Sequence, residues 1–136
     1  MNFQSLLNMG IEYEEKVLKT LKRKYPLATR IVGQFVDYDI WVPELHKSVE
    51  VKYDKKSEQT NNIIIEYERN NKPGDILTTK ASYWCIHTAA GFLWIEPIKI
   101  IECVLREDCK DIKVNNARCY LIPIITLHSY SIRGSL

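Results

Sequence analysis

The stretch Ser48-Val49-Glu50-Val51-Lys52-Tyr53 sets a carboxylate and an amine two positions apart in a short apolar run. Residues two apart on a strand share a face. Glu50 and Lys52 therefore lie side by side, and Val49, Val51 and Tyr53 point the other way, toward a core. Asp39 lies near the end of the preceding extended stretch, and a hairpin between the two strands would bring it to Glu50. Two carboxylates and a backbone carbonyl, that of Val51, form an oxygen-rich pocket. Such a pocket suits a hard cation, magnesium or manganese in its place. The chemistry it would serve is phosphodiester hydrolysis, with Lys52 orienting the attacking water or stabilising charge on phosphorus. Facing carboxylates are costly unless compensated, and one lysine compensates only partly, which favours a cation over a plain salt bridge. The plain alternative is a Glu-Lys pair on a half-exposed sheet.

These residues need elements to position them. Leu6, Leu7, Tyr13, Val17, Leu18 and Leu21 recur at spacings of three and four, which predicts an amphipathic helix. Gly10 falls where that helix starts or bends, and Tyr25-Pro26 marks its end. "ATRIVGQFVDYDIWV" suits one long strand or two short ones. Alternation from Val36 puts Tyr38, Ile40 and Val42 on one face and Asp37, Asp39 and Trp41 on the other. "SVEVKY" and "NNIIIEYE" are the next strands, with the polar loop "DKKSEQT" between them. "RNNKPGD" reads as a loop. "ILTTKASYWCIH" starts as a turn or short helix and becomes a strand near Tyr83, and "AAG" turns it into "FLWIE". Pro97 opens a second amphipathic helix carrying Ile98, Ile101, Val104 and Leu105. "RCYLIPIITL" reads as a final strand, which Pro123 confines to an edge or a bulge. The pattern predicts an α/β or α+β domain around a mixed sheet, one domain spanning 1–136.

The pattern Asp39-Ile40, a turn, then Val49-Glu50-Val51-Lys52 resembles the PD-(D/E)xK nuclease superfamily. The upstream helix "GIEYEEKVLKTL" strengthens the likeness to its Holliday-junction-resolvase branch and to small viral or phage nucleases, whose first helix carries Gly-x-x-x-Glu, here Gly10 and Glu14. The likeness runs from about Gly10 to Pro123. It implies a restriction-endonuclease-like core, with a central mixed sheet flanked by helices. Asp39 and Glu50 would bind Mg2+, Lys52 would assist the water and Glu14 would complete the pocket. Glu14 shares a helical face with Val17, Leu18 and Leu21, where a nearby metal or lysine would compensate its charge; Glu15 is the alternative one position on. Asp37 is the alternative to Asp39. Tyr38 stands where the superfamily often has Pro. The likeness further implies that Glu66 and Lys80 lie around the same site. Read by themselves, Glu66 is equally a surface residue, and Lys80 is either a contact to DNA phosphate or a helix cap.

Composition bounds what else the chain can be. Its 136 residues are 46% hydrophobic and 26% charged, as in a folded domain, with a net charge of only +2. Lys16, Lys19, Lys22, Arg23, Lys24 and Arg30 crowd one region. They are either a solvated face or a patch for phosphates, with Lys22 and Arg23 as DNA contacts. Cys85, Cys103, Cys109 and Cys119 lack zinc spacing and read as reduced thiols, so a cytoplasmic location is expected, the host cytoplasm for a viral protein. No signal peptide or membrane-spanning run is evident, and no P-loop or GxGxxG marks a small-molecule cofactor. Tyr83, Trp84 and Trp94 are core residues or bases' stacking partners. The expected activity is a metal-dependent endo- or exodeoxyribonuclease. It would read DNA ends, flaps or junctions rather than long sequences, with DNA as partner and a homodimer presenting two sites. A non-cutting nucleic-acid-binding module or a partner-dependent subunit on the same fold is the alternative.

Overall fold

Val17 and Leu21, fully buried or nearly so, anchor helix α1 (Phe3–Lys22) to the sheet beneath it. In this computed structural model, which describes residues 3–33, 37–54 and 57–136 and only the backbone of Phe3, Leu6 and Leu7, α1 runs unbroken through Gly10. The expectations for Val36, for the Leu6 and Leu7 side chains and for Lys55 and Lys56 of the polar loop lie outside the described residues. Lys19 and Lys22 in the last turn favour the negative end of the helix dipole.

The strands that follow are β1 (Thr29–Arg30), β2 (Ile40–Val42) and β3 (Lys47–Tyr53), with a 3-10 turn at Pro43–Leu45 between the last two. The chain continues through α2 (Ser57–Thr60), β4 (Asn62–Arg69), β5 (Lys72–Pro73) and α3 (Asp75–Thr78). Next come β6 (Tyr83–Thr88), β7 (Gly91–Ile95) and α4 (Pro97–Arg106). A hairpin of β8 (Lys110–Val114) and β9 (Ala117–Pro123) and a short α5 (Ile124–His128) complete it.

These strands form two sheets. The five-stranded sheet has the order β1-β2-β3-β6-β7 and is mixed, with β3 and β6 parallel and the other pairs antiparallel. The four-stranded sheet, β5-β4-β9-β8, is antiparallel. The protein is thus mixed α/β, as expected, but "NNIIIEYE" does not extend the first sheet. As β4 it starts the second, inside the crossover that joins β3 to β6. "RCYLIPIITL" divides too: β9 is an interior strand that stops at Pro123, and Ile124 onward is helical. Proline lacks the N–H a ladder needs, so it ends the strand rather than marking an edge.

Alternation along the mixed sheet sorts its side chains between two cores. Ile40, Val42, Val49, Cys85 and Trp94 join Val17, Leu21 and Ala28 on the α1 side. Trp84, Ile86, Leu93 and Ile95 point the other way, onto Ile63 and Ile65 of β4, Ile122 of β9, Ile100 and Cys103 of α4, and Leu127 of α5. Trp84 and Trp94 are therefore core, 3% and 1% exposed, and offer no face to a base. Half-buried Tyr83 packs against the α1-side core. Tyr38 packs against the second core although Ile40 and Val42 face the first, so the expected alternation fails between them. All four cysteines are free thiols, and burial raises the pKa of Cys85. Among the described residues no helix is long and apolar enough to cross a membrane.

Candidate active site

β3 has both faces covered, which places Glu50 and Lys52 differently from the half-exposed sheet of the plain alternative. They share a face with Trp84 and Ile86, their partners on β6, and so lie at the rim of the inter-sheet core. Their side chains are 19% and 29% exposed. The Lys52 ammonium sits 2.8 Å from Glu50 Oε2 and 2.7 Å from Asp75 Oδ2, and 4.7 Å above the Trp84 ring. Burial opposes its charge, but Glu50 and Asp75 outweigh burial and raise its pKa.

β2 and β3 do pair antiparallel, Ile40 opposite Val49, and this brings Asp39 to β3. Asp39 precedes the strand rather than lying within it. Its N–H donates to the Val49 carbonyl at 3.0 Å, and its own carbonyl takes the Ile31 N–H at 2.8 Å. Its carboxylate, in place of a main-chain acceptor, takes the Val51 N–H at 2.7 Å. The N–H and C=O of a strand residue leave on the same edge, so the Val51 carbonyl also faces the opening past the end of β2. Burial raises the Asp39 carboxyl to about 6, against the pull of the Val51 N–H and with the charge and hydrogen bond of Glu14 adding to it. Burial likewise raises Glu50, with Lys52 offsetting part of the rise.

Glu14 reaches this place from α1. The cation beside its 22% exposed carboxylate is Arg30 of β1, at 2.9 Å. Arg30 also holds Glu15 at 3.0 Å, on the exposed side. Burial disfavours the Arg30 charge, yet the two glutamates leave its pKa raised. A cleft of about 550 Å3 collects the result, lined by Glu14, Asp37, Asp39, Glu50, Val51, Lys52 and Asp75 and closed by Tyr38, Thr78 and Thr79. Among the described residues, five carboxylates and one ammonium thus line it, and Glu15 is outside.

The other expected residues lie around this cleft or beyond it. Asp37, exposed, lies on the cleft wall 4.0 Å from Lys80, and neither it nor Asp39 is in a strand. Lys80 stands on the rim beside Thr79. Glu66 is not in the cleft: bound to Arg69, it lines an adjoining apolar groove of about 140 Å3 that shares Lys52 and Asp75 with the cleft. β4 bulges between Glu66 and Glu68, so the two do not share a strand face as regular two-residue spacing would have them. Lys22 and Arg23 are exposed at the end of α1, about 12 Å along the helix from Glu14 at 1.5 Å per residue.

Asp75 and Arg30 are the residues that sequence reasoning missed. Arg30 was visible only as one more cation of a basic patch. Asp75 follows Gly74 and precedes the apolar Ile76, an acidic first-turn signal hidden inside a stretch that reads as loop.

The donors present fit a hard cation. All are oxygens, and burial, with smaller contributions from neighbouring carboxylates, raises the affinity of Asp39 and Glu50 for protons, a cost to their charged forms that a cation would offset. Among the described residues, no group of three or more His, Cys, Asp or Glu side chains is gathered as a metal cage, so the fit is to two carboxylates and a carbonyl. Comparison with known proteins finds no family model, no characterised sequence and no solved structure that matches the chain.

Proposed function

We propose that the protein is a magnesium-dependent DNA nuclease built on a restriction-endonuclease-like core, with manganese able to replace magnesium. The observation that carries this reading is the convergence of Asp39, Glu50, Lys52 and Glu14, from separate segments, on one open cleft. Asp39, Glu50 and the Val51 carbonyl would hold the cation. When bound, it supplies Lewis-acid activation of phosphate and water. Lys52 directs its ammonium into the cleft, where it orients the attacking water or offsets charge growing on phosphorus. Glu14, fixed by Arg30, borders Asp39 and tunes its proton affinity. The acidic walls oppose a bare phosphate, so cation and DNA backbone enter together. Lys80 at the rim and Lys22 and Arg23 on α1 are the positive groups that DNA backbone would meet. A domain of this size reads DNA ends, flaps or junctions, and a two-fold homodimer would present two clefts to such a substrate.

A plasmid-nicking assay tests the reading. Wild type is expected to relax supercoiled DNA in Mg2+ or Mn2+ and to stop in EDTA, and Lys52→Ala is expected to lower the rate by about 100-fold or more. If wild type and Lys52→Ala behave alike in Mg2+, the enzyme reading fails and a binding module on the same fold takes its place.

A further inference from the structure

The Lys52 side chain is held from three directions. Glu50 bonds it along its own strand, the Trp84 ring lies under it, and Asp75 bonds it from across the cleft at 2.7 Å. Two of those holds are fixed by the fold in unusual detail. The Trp84 indole N–H donates to Thr79 Oγ1 at 3.0 Å, which fixes the ring. Asp75 follows Gly74, whose N–H donates to the Tyr67 carbonyl at 2.8 Å; a Cβ at Gly74 would sit 2.6 Å from the Glu66 carbonyl oxygen. Only glycine lets this backbone lie so close to β4, and Thr78 Oγ1 closes the turn onto the Gly74 carbonyl at 3.3 Å. The third hold, Glu50, is different in kind, because the same carboxylate is the expected cation ligand. Its oxygens cannot serve cation and ammonium equally. An amine released by Glu50 and held by nothing else would swing out on its four-carbon stem.

We propose that Asp75 is a positioning residue, holding the Lys52 ammonium over Trp84 on the cleft floor while Glu50 turns its charge to a cation. This rests on the nuclease reading above. Asp75 would act through Lys52, which it holds at 2.7 Å, and its side chain, 60% exposed, is free of any core role.

The test combines cleavage kinetics for wild type, Asp75→Asn, Asp75→Glu, Lys52→Ala and the Asp75→Asn/Lys52→Ala double variant with a second readout that needs no activity. That readout is the rate at which a small water-soluble acylating reagent modifies Lys52, followed by mass spectrometry in wild type and Asp75→Asn. Asp75→Asn is expected to lower kcat about 10- to 100-fold through misplacement of the amine. KM and the half-saturating Mg2+ concentration should hold within roughly twofold. The effect should vanish in the Lys52→Ala background, Asp75→Glu should recover part of it, and Lys52 should acylate faster. An equal loss with or without Lys52 would mean a merely structural role and overturn the proposal. A raised Mg2+ requirement would make Asp75 a cation ligand and overturn it as well. Should wild type not cut DNA at all, the nuclease reading falls, and unchanged Lys52 acylation in Asp75→Asn would then separately sink the positioning role.

Discussion

Burial raises the Asp39 carboxyl to about 6, whereas in an unfolded chain it titrates near ~3.9. Between those values the folded protein binds the extra proton. This group's contribution to stability is therefore full below about pH 4 and is lost as pH rises through about 6. Asp39→Asn removes the charge but keeps an oxygen for the Val51 N–H. We expect it to be more stable than wild type at pH 8 by about 1 kcal/mol, with no such gain at pH 4, measured by urea unfolding. The same carboxyl must be ionised to hold a cation. Cleavage at low Mg2+ should therefore climb with pH through about 6, and higher Mg2+ should move that limb to lower pH because cation and proton compete. A limb that ignores the Mg2+ concentration would remove Asp39 from the cation site. At this scale the sequence was informative where the partners are local. Asp39, Glu50 and Lys52 meet through one hairpin and one strand. Arg30 and Asp75 arrive from segments whose pairing no short-range pattern encodes.

Among the helices that the site depends on, α3 is short, with only four residues, Asp75–Thr78. Its position rests on Gly74 rather than on helical propensity. Gly74→Ala must push β4 or the turn aside and is expected to cost about 1–3 kcal/mol in urea unfolding, with loss of Asp75 from Lys52 as the local result. A stability within a few tenths of a kcal/mol of wild type would mean that the backbone yields easily there. Element recognition followed periodicity. α1, β3 and the β6–β7 hairpin carry strong stripes or alternation and were legible; α4 was legible as a helix, but Ile98 and Leu105 of its expected stripe are exposed, and Ile100 and Cys103 are buried instead. β8, with Lys110, Asp111 and Lys113 exposed, is a polar edge strand and resembles a loop. α5 is rich in β-branched residues and resembles the strand it follows; its burial of Leu127 against α4, not its propensity, makes it a helix. The second sheet was hidden because β4 and β9 are far apart in the chain.

Across the whole molecule, charge is divided rather than excessive. The net charge of +2 combines an acidic cleft with a basic end of α1, where Lys19, Lys22, Arg23 and Lys24 are exposed. DNA lying over both would gain affinity from the helix and place its backbone at the cleft. Lys22→Glu/Arg23→Glu is expected to weaken DNA binding at low salt. It should also flatten the slope of log K against log[salt] by about 0.9 for each phosphate that is no longer neutralised, as fluorescence anisotropy would record. An unchanged slope would assign these cations to a solvated face. The parallel β3–β6 pair adds an engineering consequence. Every parallel neighbour needs a long connection, and here that connection is the source of the opposite cleft wall, while Glu50 and Lys52 stay rooted in the strand before it. Exchanging the segment between Tyr53 and Tyr83 would leave Glu50 and Lys52 in place but remove Asp75 and Thr79, so a replacement must bring its own acceptor for the Lys52 ammonium and its own strand to pair with β9.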